Sequence, residues 1–122
     1  MSSILIIDDA AAQRAALERS VERTCLGFDA IRTARAASEA REILGRESFE
    51  IILCASNLPD QDCVEFLTEV AAAYAETALL LLTHLEQGEL VERARACGVH
   101  GSLRRPYGQA ELRDTLEELL RK

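Results

Sequence analysis

Polar residues that could hold a cation follow apolar runs at separate points of the chain. Asp8 and Asp9 come directly after the run at residues 4–7, and Thr83 follows the run at 79–82. A carboxylate pair suits Mg²⁺ because this hard ion prefers oxygen ligands. These side chains can act together only if the fold brings the ends of the apolar runs to one edge.

Apolar runs of strand length alternate with helix-forming segments along the whole chain. Short continuous apolar runs predict buried strands, and apolar residues three or four apart predict amphipathic helices. The predicted strands cover 4–7, 28–34, 49–54, 79–82 and 101–103, and the predicted helices cover 10–24, 36–44, a segment capped by Asp62, 89–97 and 109–120. The sequence therefore predicts a βα unit repeated five times.

Local signals predict the apolar stripe of the first helix and one end of each of the next two helices. Leu17, Val21 and Cys25 lie near helical spacing and predict the apolar stripe of the first helix. Gly45 predicts a left-handed C-terminal cap on the second helix. Asp62 predicts an N-terminal cap on the third, because its carboxylate can accept a hydrogen bond from an otherwise free backbone N–H.

The alternating pattern predicts a single α/β domain over residues 1–122, with a doubly wound parallel sheet of five strands. The flavodoxin-like strand order 2-1-3-4-5 fits best, because the second strand is partly polar and suits an edge. In such sheets the functional crevice lies at the carboxyl ends of the strands. The residues that this rule brings together are Asp8, Asp9, Ala34, Ala55, Thr83 and Arg105.

The composition excludes several classes of function. The formal net charge is −7, which argues against nucleic-acid binding because that requires clustered Lys and Arg. The longest apolar stretch, residues 70–75, is far shorter than the roughly 20 residues that cross a bilayer. An acidic protein of this kind is expected to meet protein partners or metal cations.

The cysteines predict a reducing compartment. Cys25, Cys54, Cys63 and Cys97 form no CxxC pair and no metal-ligand spacing with the two histidines. The first residues lead directly into an apolar run followed by acids, which is not the pattern of a secretory signal. Free thiols in the cytoplasm are the simplest interpretation.

The motifs at the predicted strand ends resemble those of receiver domains in two-component response regulators, the CheY-like superfamily. The matching segments are ILIIDD at 4–9, ILCASNLPDQD at 52–62, LLLLTH at 79–84 and LRRPY at 103–107. Each motif alone is weak, but four in the same order make a specific pattern that covers essentially the whole chain. The resemblance implies a signalling module with a phosphorylation site at the carboxyl edge of the sheet.

The resemblance also implies a role for each matching residue. Asp8, Asp9 and the backbone carbonyl of Asn57 match the ligands of Mg²⁺. An aspartate at the end of the third strand would attack the phosphorus, while the metal and a lysine neutralise the phosphoryl oxygens. Thr83 matches the switch hydroxyl, which bonds the phosphoryl group and biases a two-state surface.

This sequence departs from the family pattern at four positions. Ala55 stands at the phosphoacceptor position, and a methyl group cannot be phosphorylated. Arg105 stands in place of the lysine, and the two side chains differ in shape and hydration. Cys63 replaces a glycine, and Ser102 replaces the aromatic partner of the switch hydroxyl. We therefore expect no required cofactor and, at most, a weak or vestigial Mg²⁺ site.

The basic residue at the site has two interpretations. Arg105 is predicted to pair with Asp8 or Asp9 and to fill the space of a phosphoryl group; the alternative is an arginine that faces solvent. Thr83 could equally be an ordinary strand-end hydroxyl rather than a switch. Ala55 itself has two origins that the sequence leaves open, a natural pseudo-receiver or a deliberate replacement of an aspartate.

Three functions compete on the sequence alone. The first is a phosphorylation-incompetent pseudo-receiver that acts as a protein–protein interaction module. The second is an ordinary phosphorelay receiver that accepts a phosphoryl group from a histidine kinase at a native aspartate in position 55, inactivated here by alanine. The third is a small α/β enzyme, but the chain has no GxSxG, GxxxxGK[ST] or GxGxxG motif. We therefore predict that the protein is not an enzyme.

The predicted partners are proteins, with neither nucleic acid nor membrane among them. The resemblance implies a contact surface on the last two helices and the strand between them, used by a histidine kinase, an output domain or a second copy in a homodimer. Its charges have both signs, which suits partner selection by charge complementarity. The residues expected to be exposed there are Glu86, Glu89, Glu92, Arg93, Arg95, Glu111, Arg113, Asp114 and Glu117.

Overall fold

Strands and helices alternate along the chain, as the sequence predicts. The computed structural model describes residues 2–84 and 88–121. The strands are β1 (Ser3–Ile7), β2 (Ala30–Ala34), β3 (Ile51–Ala55), β4 (Ala78–Thr83) and β5 (Gly101–Arg104). The helices are α1 (Ala11–Arg23), α2 (Ala37–Leu44), α3 (Cys63–Ala73), α4 (Gly88–Ala96) and α5 (Gln109–Leu120). Among the described residues, no helix combines the length and apolar character needed to cross a lipid bilayer.

The five strands form one parallel sheet in the order β2-β1-β3-β4-β5. This confirms the predicted flavodoxin-like order 2-1-3-4-5. In the register, Ile7 of β1 lies opposite Ala34 of β2 and Cys54 of β3, and Ala55 lies opposite Leu82 of β4. The carboxyl ends of β1, β3 and β4 therefore meet at one edge of the sheet.

The apolar strands are buried because helices cover both faces of the sheet. Alternate side chains of each strand point to opposite faces. One set packs against α2, α3 and α4, and the other packs against α1 and α5. Every residue of β4 is buried, as the run of leucines predicts. The doubly wound arrangement is thus confirmed.

The second helix does not end in the predicted left-handed cap. Gly45 has φ −71° and ψ −16°, which is right-handed helical backbone. Its N–H continues the helical pattern by donating to the carbonyl of Arg41 at 3.0 Å. The prediction was wrong because the chain turns after Gly45 by a further helical bond, from Arg46 N–H to Ile43, and needs no positive φ there.

Two strands, β2 and β3, begin later than predicted. β2 starts at Ala30 and not at residue 28, and β3 covers Ile51–Ala55 and not 49–54. Phe49 is still 95% buried in the core, so its apolar character marks packing and not strand pairing. The shift matters because it makes Ala55 the last residue of β3.

The first helix ends before Cys25, which the sequence placed on its apolar stripe. Leu17 and Val21 are buried as predicted, but Cys25 is exposed and has φ +56°. A left-handed conformation costs an L-residue with a Cβ about 1–2 kcal/mol. Only Thr24 separates Cys25 from the helix, so the strained residue makes the turn that ends α1.

Replacing Cys25 by glycine should stabilise the protein. We expect the free energy of unfolding to rise by about 0.5–1 kcal/mol, because the relief of strain exceeds the extra entropy of an unfolded glycine. Urea unfolding of Cys25→Gly, compared with Cys25→Ser, measures the effect. The serine keeps the Cβ and should stay within about 0.5 kcal/mol of the parent. A glycine variant no more stable than the serine variant would contradict the expectation.

Candidate functional site

Three of the residues singled out by sequence lie side by side at the carboxyl edge of the sheet. Asp8 follows β1, Ala55 ends β3 and Thr83 ends β4. All three are buried, with relative exposures of 1%, 4% and 3%. Since β3 lies between β1 and β4, the methyl group of Ala55 stands between the acidic side and the hydroxyl side of this edge.

Arg105 pairs with Asp8, one of the two partners predicted for it. Its Nη2 lies 2.9 Å from Oδ2 of Asp8, and the two side chains are 16% and 1% exposed. The other carboxylate oxygen, Oδ1, accepts the backbone N–H of Ala10 at 3.0 Å. Charge-assisted hydrogen bonds of this kind are about twice as strong as neutral ones. A buried carboxylate is thus neutralised by the chain itself.

Two residues of α1 complete this arrangement, and the sequence analysis missed both. Nη1 of Arg105 donates to Oε1 of Gln13 at 2.7 Å. Nη1 of Arg14 donates to the backbone carbonyl of Asp8 at 2.9 Å. The sequence feature that could have identified Gln13 and Arg14 is their position in the first turn of α1, five and six residues after Asp8. The guanidinium of Arg105 therefore ties the loop after β5 to both β1 and α1.

Thr83 faces the neighbouring strand β5. Its hydroxyl lies 3.5 Å from the backbone carbonyl of Leu103, which is longer than an ordinary O–H···O hydrogen bond. The backbone carbonyl of Thr83 accepts the N–H of Arg105 at 2.8 Å. The backbone bond holds the end of β4 to the residue that follows β5, and the hydroxyl makes only a weak contact, as in an ordinary strand-end threonine.

Both thiols next to the site have a raised pKa. Burial raises the pKa of the Cys54 thiol well above its usual range, and the nearby Cys63 and Asp8 raise it further. Burial also raises the pKa of Cys63, and Asp62 adds to the effect. A thiol must be deprotonated to act as a nucleophile. Neither cysteine is therefore a substitute for a nucleophile at position 55.

Aspartates fix the loop between β3 and α3. Asp62 accepts the backbone N–H of Glu65 at 3.1 Å, which confirms the predicted cap of α3. Asp60, which the sequence analysis did not single out, accepts the N–H groups of Ala37 and Ser38 at 3.0 and 2.9 Å. These bonds, the one from Ser38 above all, lower the pKa of Asp60. Asp60 thus caps α2 from another part of the chain.

The residues at the edge do not fit a resident Mg²⁺ ion. Both carboxylate oxygens of Asp8 already accept a hydrogen bond, one of them from a cation. Asp9 and Asn57 are exposed. Arg105 supplies the positive charge that a metal would bring.

The charged residues predicted on the last two helices are mostly exposed. Glu86 lies outside the described residues. Those exposed in the structure are Glu89, Glu92, Arg93, Arg95, Glu111, Arg113 and Asp114. Glu117 is partly buried instead, since its carboxylate pairs with Arg113 at 3.7 Å and with Arg121 at 3.5 Å. Helices α4 and α5 therefore carry exposed charges of both signs, as expected.

Sequence comparison identifies the family. The family described as "Response regulator receiver domain" matches residues 4–117. The chain is 25% identical over 118 residues to the hydrogenase transcriptional regulatory protein HoxA of Cupriavidus necator, and 29% identical over 117 residues to the response regulator protein PilR of Pseudomonas aeruginosa. Each match covers 96% of this chain, which spans only 24% and 26% of the two relatives.

Solved structures agree with the sequence match. The chemotaxis response regulator CheY4 of Vibrio cholerae is 26% identical and superposes with a TM-score of 0.85, covering 98% of both chains. The signal receiver domain of an HD domain-containing protein from Pseudomonas fluorescens Pf-5 shares the fold, with 24% identity and a TM-score of 0.90 over 98% of this chain and 87% of that one. The sheet order, the acidic strand end and the family match over most of the sequence lead to one conclusion. The chain belongs to the response regulator receiver domain family.

Proposed function

We propose that this receiver domain is a phosphorylation-incompetent pseudo-receiver, a non-catalytic cytoplasmic module that acts through protein–protein contacts. Ala55 takes the position of the phosphoacceptor aspartate. Its location at the end of β3, beside the buried Asp8, supports this assignment. A methyl group has no oxygen with which to attack phosphorus, so a signal cannot be received there by phosphoryl transfer.

The observation that carries the proposal is the contact between Arg105 and Asp8. A phosphoryl group or a metal ion would need the charge of these two side chains, but they neutralise each other at 2.9 Å. Gln13 holds the same guanidinium from the other side at 2.7 Å. The pair therefore balances the charge at this edge of the sheet without a ligand.

The switch residues support the same proposal. The hydroxyl of Thr83 contacts the carbonyl of Leu103. Ser102 stands on β5 where the family resemblance implies an aromatic side chain. A serine is too small to report a movement of the hydroxyl to the surface of α4 and α5. We therefore assign Thr83 a structural role in this chain.

Any binding of Mg²⁺ to Asp8, Asp9 and the backbone carbonyl of Asn57 is expected to be weak. An entering ion must displace the guanidinium of Arg105 from a carboxylate that is 99% buried. Magnesium also gives up its own water reluctantly. The pseudo-receiver therefore requires no cofactor, and its surface is independent of magnesium.

The surface for partners is proposed to be α4, β5 and α5. Exposed charges of both signs on these elements suit a protein partner of matching pattern, such as a histidine kinase, an output domain or a second copy in a homodimer. The chain spans about a quarter of the relatives HoxA and PilR, so an attached output domain is one of these candidates.

The alternative function is an ordinary phosphorelay receiver that accepts a phosphoryl group from a histidine kinase at a native aspartate in position 55. The retained acidic pair of Asp8 and Asp9 favours it, because an interaction module has no need of two acids at this edge. In that case Ala55 is an inactivating change, and it stands beside the other departures from the family pattern at Arg105, Cys63 and Ser102.

Amide NMR spectra of the chain test the proposal. We expect no change at Asp8, Thr83 or α4 when Mg²⁺ and beryllofluoride, a phosphoryl mimic, are added together. Spectra with Mg²⁺ alone and with fluoride alone are the controls for ionic effects. Changes that appear at these residues only with the complete mixture would contradict a pseudo-receiver.

A further inference from the structure

The side chain of His100 completes the pairing of β4 with β5. The backbone N–H of Leu79 donates to Nδ1 of His100 at 3.0 Å, and the N–H of His100 donates to the carbonyl of Leu79 at 2.9 Å. The regular ladder between these strands begins one residue later, where Leu80 lies opposite Gly101. The imidazole thus takes the place of a backbone carbonyl at the start of the ladder.

This hydrogen bond depends on the charge state of the imidazole. A neutral imidazole has one nitrogen that accepts, whereas both nitrogens of the protonated ring are donors. Leu79 is fully buried, so its N–H loses its partner if Nδ1 takes up a proton. A buried N–H without an acceptor is costly to the fold.

Two carboxylates lie on the same side of the molecule as His100. His100 lines a surface cavity of about 500 Å³ together with Glu50, Glu76 and the end of α5 at Leu119 and Leu120. Glu50, which precedes β3, and Glu76, which precedes β4, are both exposed, and none of the arginines in the part of the chain that the structure describes lines the cavity. An imidazolium released from Leu79 would therefore find negative charge and room to turn.

We propose that His100 is a proton-responsive contact that fastens the segment between α4 and β5 to the start of β4. When neutral, it accepts the N–H of Leu79. When protonated, it leaves that N–H and turns toward Glu50 and Glu76. Because both nitrogens of a protonated ring are donors, protonation of His100 loosens this attachment. The contact lies at the opposite end of β4 from Thr83 and acts independently of the pseudo-receiver site.

Amide NMR over the range from about pH 7.5 to pH 5.5 tests the proposal. We expect the Leu79 resonance to move in a one-proton titration and its protection from hydrogen exchange to fall about fivefold, the worth of one hydrogen bond. His100→Asn is the matched variant, because Oδ1 of asparagine can accept the same N–H but does not titrate. His84→Asn is the control, since His84 is the only other histidine among the 2 in the chain.

The variants separate the outcomes. The proposal requires that the titration of Leu79 persists in His84→Asn and disappears in His100→Asn. A Leu79 resonance that does not respond to pH in the parent chain, or that responds equally in His100→Asn, overturns it. If His100→Asn does not fold, His84→Asn gives the answer, because His100 is then the one histidine left in the chain. The Leu79 amide must then titrate together with the imidazole resonances of His100, and a Leu79 amide that stays constant while those resonances move would overturn the proposal.

Discussion

Replacing Arg105 by methionine should lower the free energy of unfolding at neutral pH by about 3 kcal/mol. Methionine keeps much of the apolar stem but leaves the carboxylate of Asp8, which is 99% buried, without its cation. Removing one partner of a buried ion pair costs far more stability than removing one partner of an exposed pair. The remaining buried charge then has neither a counter-charge nor water around it. The shift in the urea midpoint measures this loss.

Two further variants give the Arg105 experiment its controls. Arg35→Met removes a pair with Glu39 at 3.6 Å in which the arginine is 72% exposed, and it should change stability by about 0–1 kcal/mol. Asp8→Asn combined with Arg105→Met leaves no buried charge and should recover part of the loss. If Arg105→Met is no more destabilising than Arg35→Met, the pair is not the centre of this site.

The same substitution should allow the protein to bind Mg²⁺. With the guanidinium gone, the carboxylates of Asp8 and Asp9 have no internal cation, and the ion becomes their best partner. A ligand that binds only the folded state raises its stability. We therefore expect millimolar Mg²⁺ to raise the melting temperature of Arg105→Met and to leave that of the parent chain unchanged.

The fold was predictable because the relevant signals are local. The buried strands are continuous apolar runs, and the residues that end them are polar, so the edge of the sheet could be found from sequence. The same local signals at the strand ends limited the predicted partner of Arg105 to two acids, Asp8 and Asp9. What selects Asp8 is burial: Asp8 lies at the end of an interior strand with Ala10 N–H as a second donor, whereas Asp9 is exposed.

The contacts that could not be predicted connect segments far apart in the chain. Asp60 caps α2 from a loop that follows the helix by more than a dozen residues, while the residue before the helix, Ala36, offers no side-chain cap. Gln13 meets Arg105 across a separation of 92 residues. Neither Asp60 nor Gln13 stands in a local sequence pattern that indicates its partner, because an aspartate or glutamine outside an apolar run usually faces water.

Restoring an aspartate at position 55 should not restore phosphorylation by itself. In Ala55→Asp the new carboxylate lies at a position that is 96% buried, close to Asp8. The planar fork of Arg105 can bond both carboxylates and is held by Gln13, so it should fill the space that phosphoryl oxygens need. Ala55→Asp combined with Arg105→Lys replaces the fork by a compact ammonium group. We expect only this double variant to gain a phosphoryl group from acetyl phosphate and Mg²⁺.

Intact-protein mass spectrometry after incubation with acetyl phosphate distinguishes the two proposed functions. Ala55→Asn combined with Arg105→Lys is the matched control, because asparagine has the shape of aspartate but no nucleophilic carboxylate, and it should gain nothing. Uptake by Ala55→Asp alone, as fast as by the double variant, would mean that Arg105 does not obstruct the site. The domain would then be an ordinary receiver in which Ala55 is the single lesion. Uptake confined to the double variant would mean that at least two changes separate this chain from a working receiver.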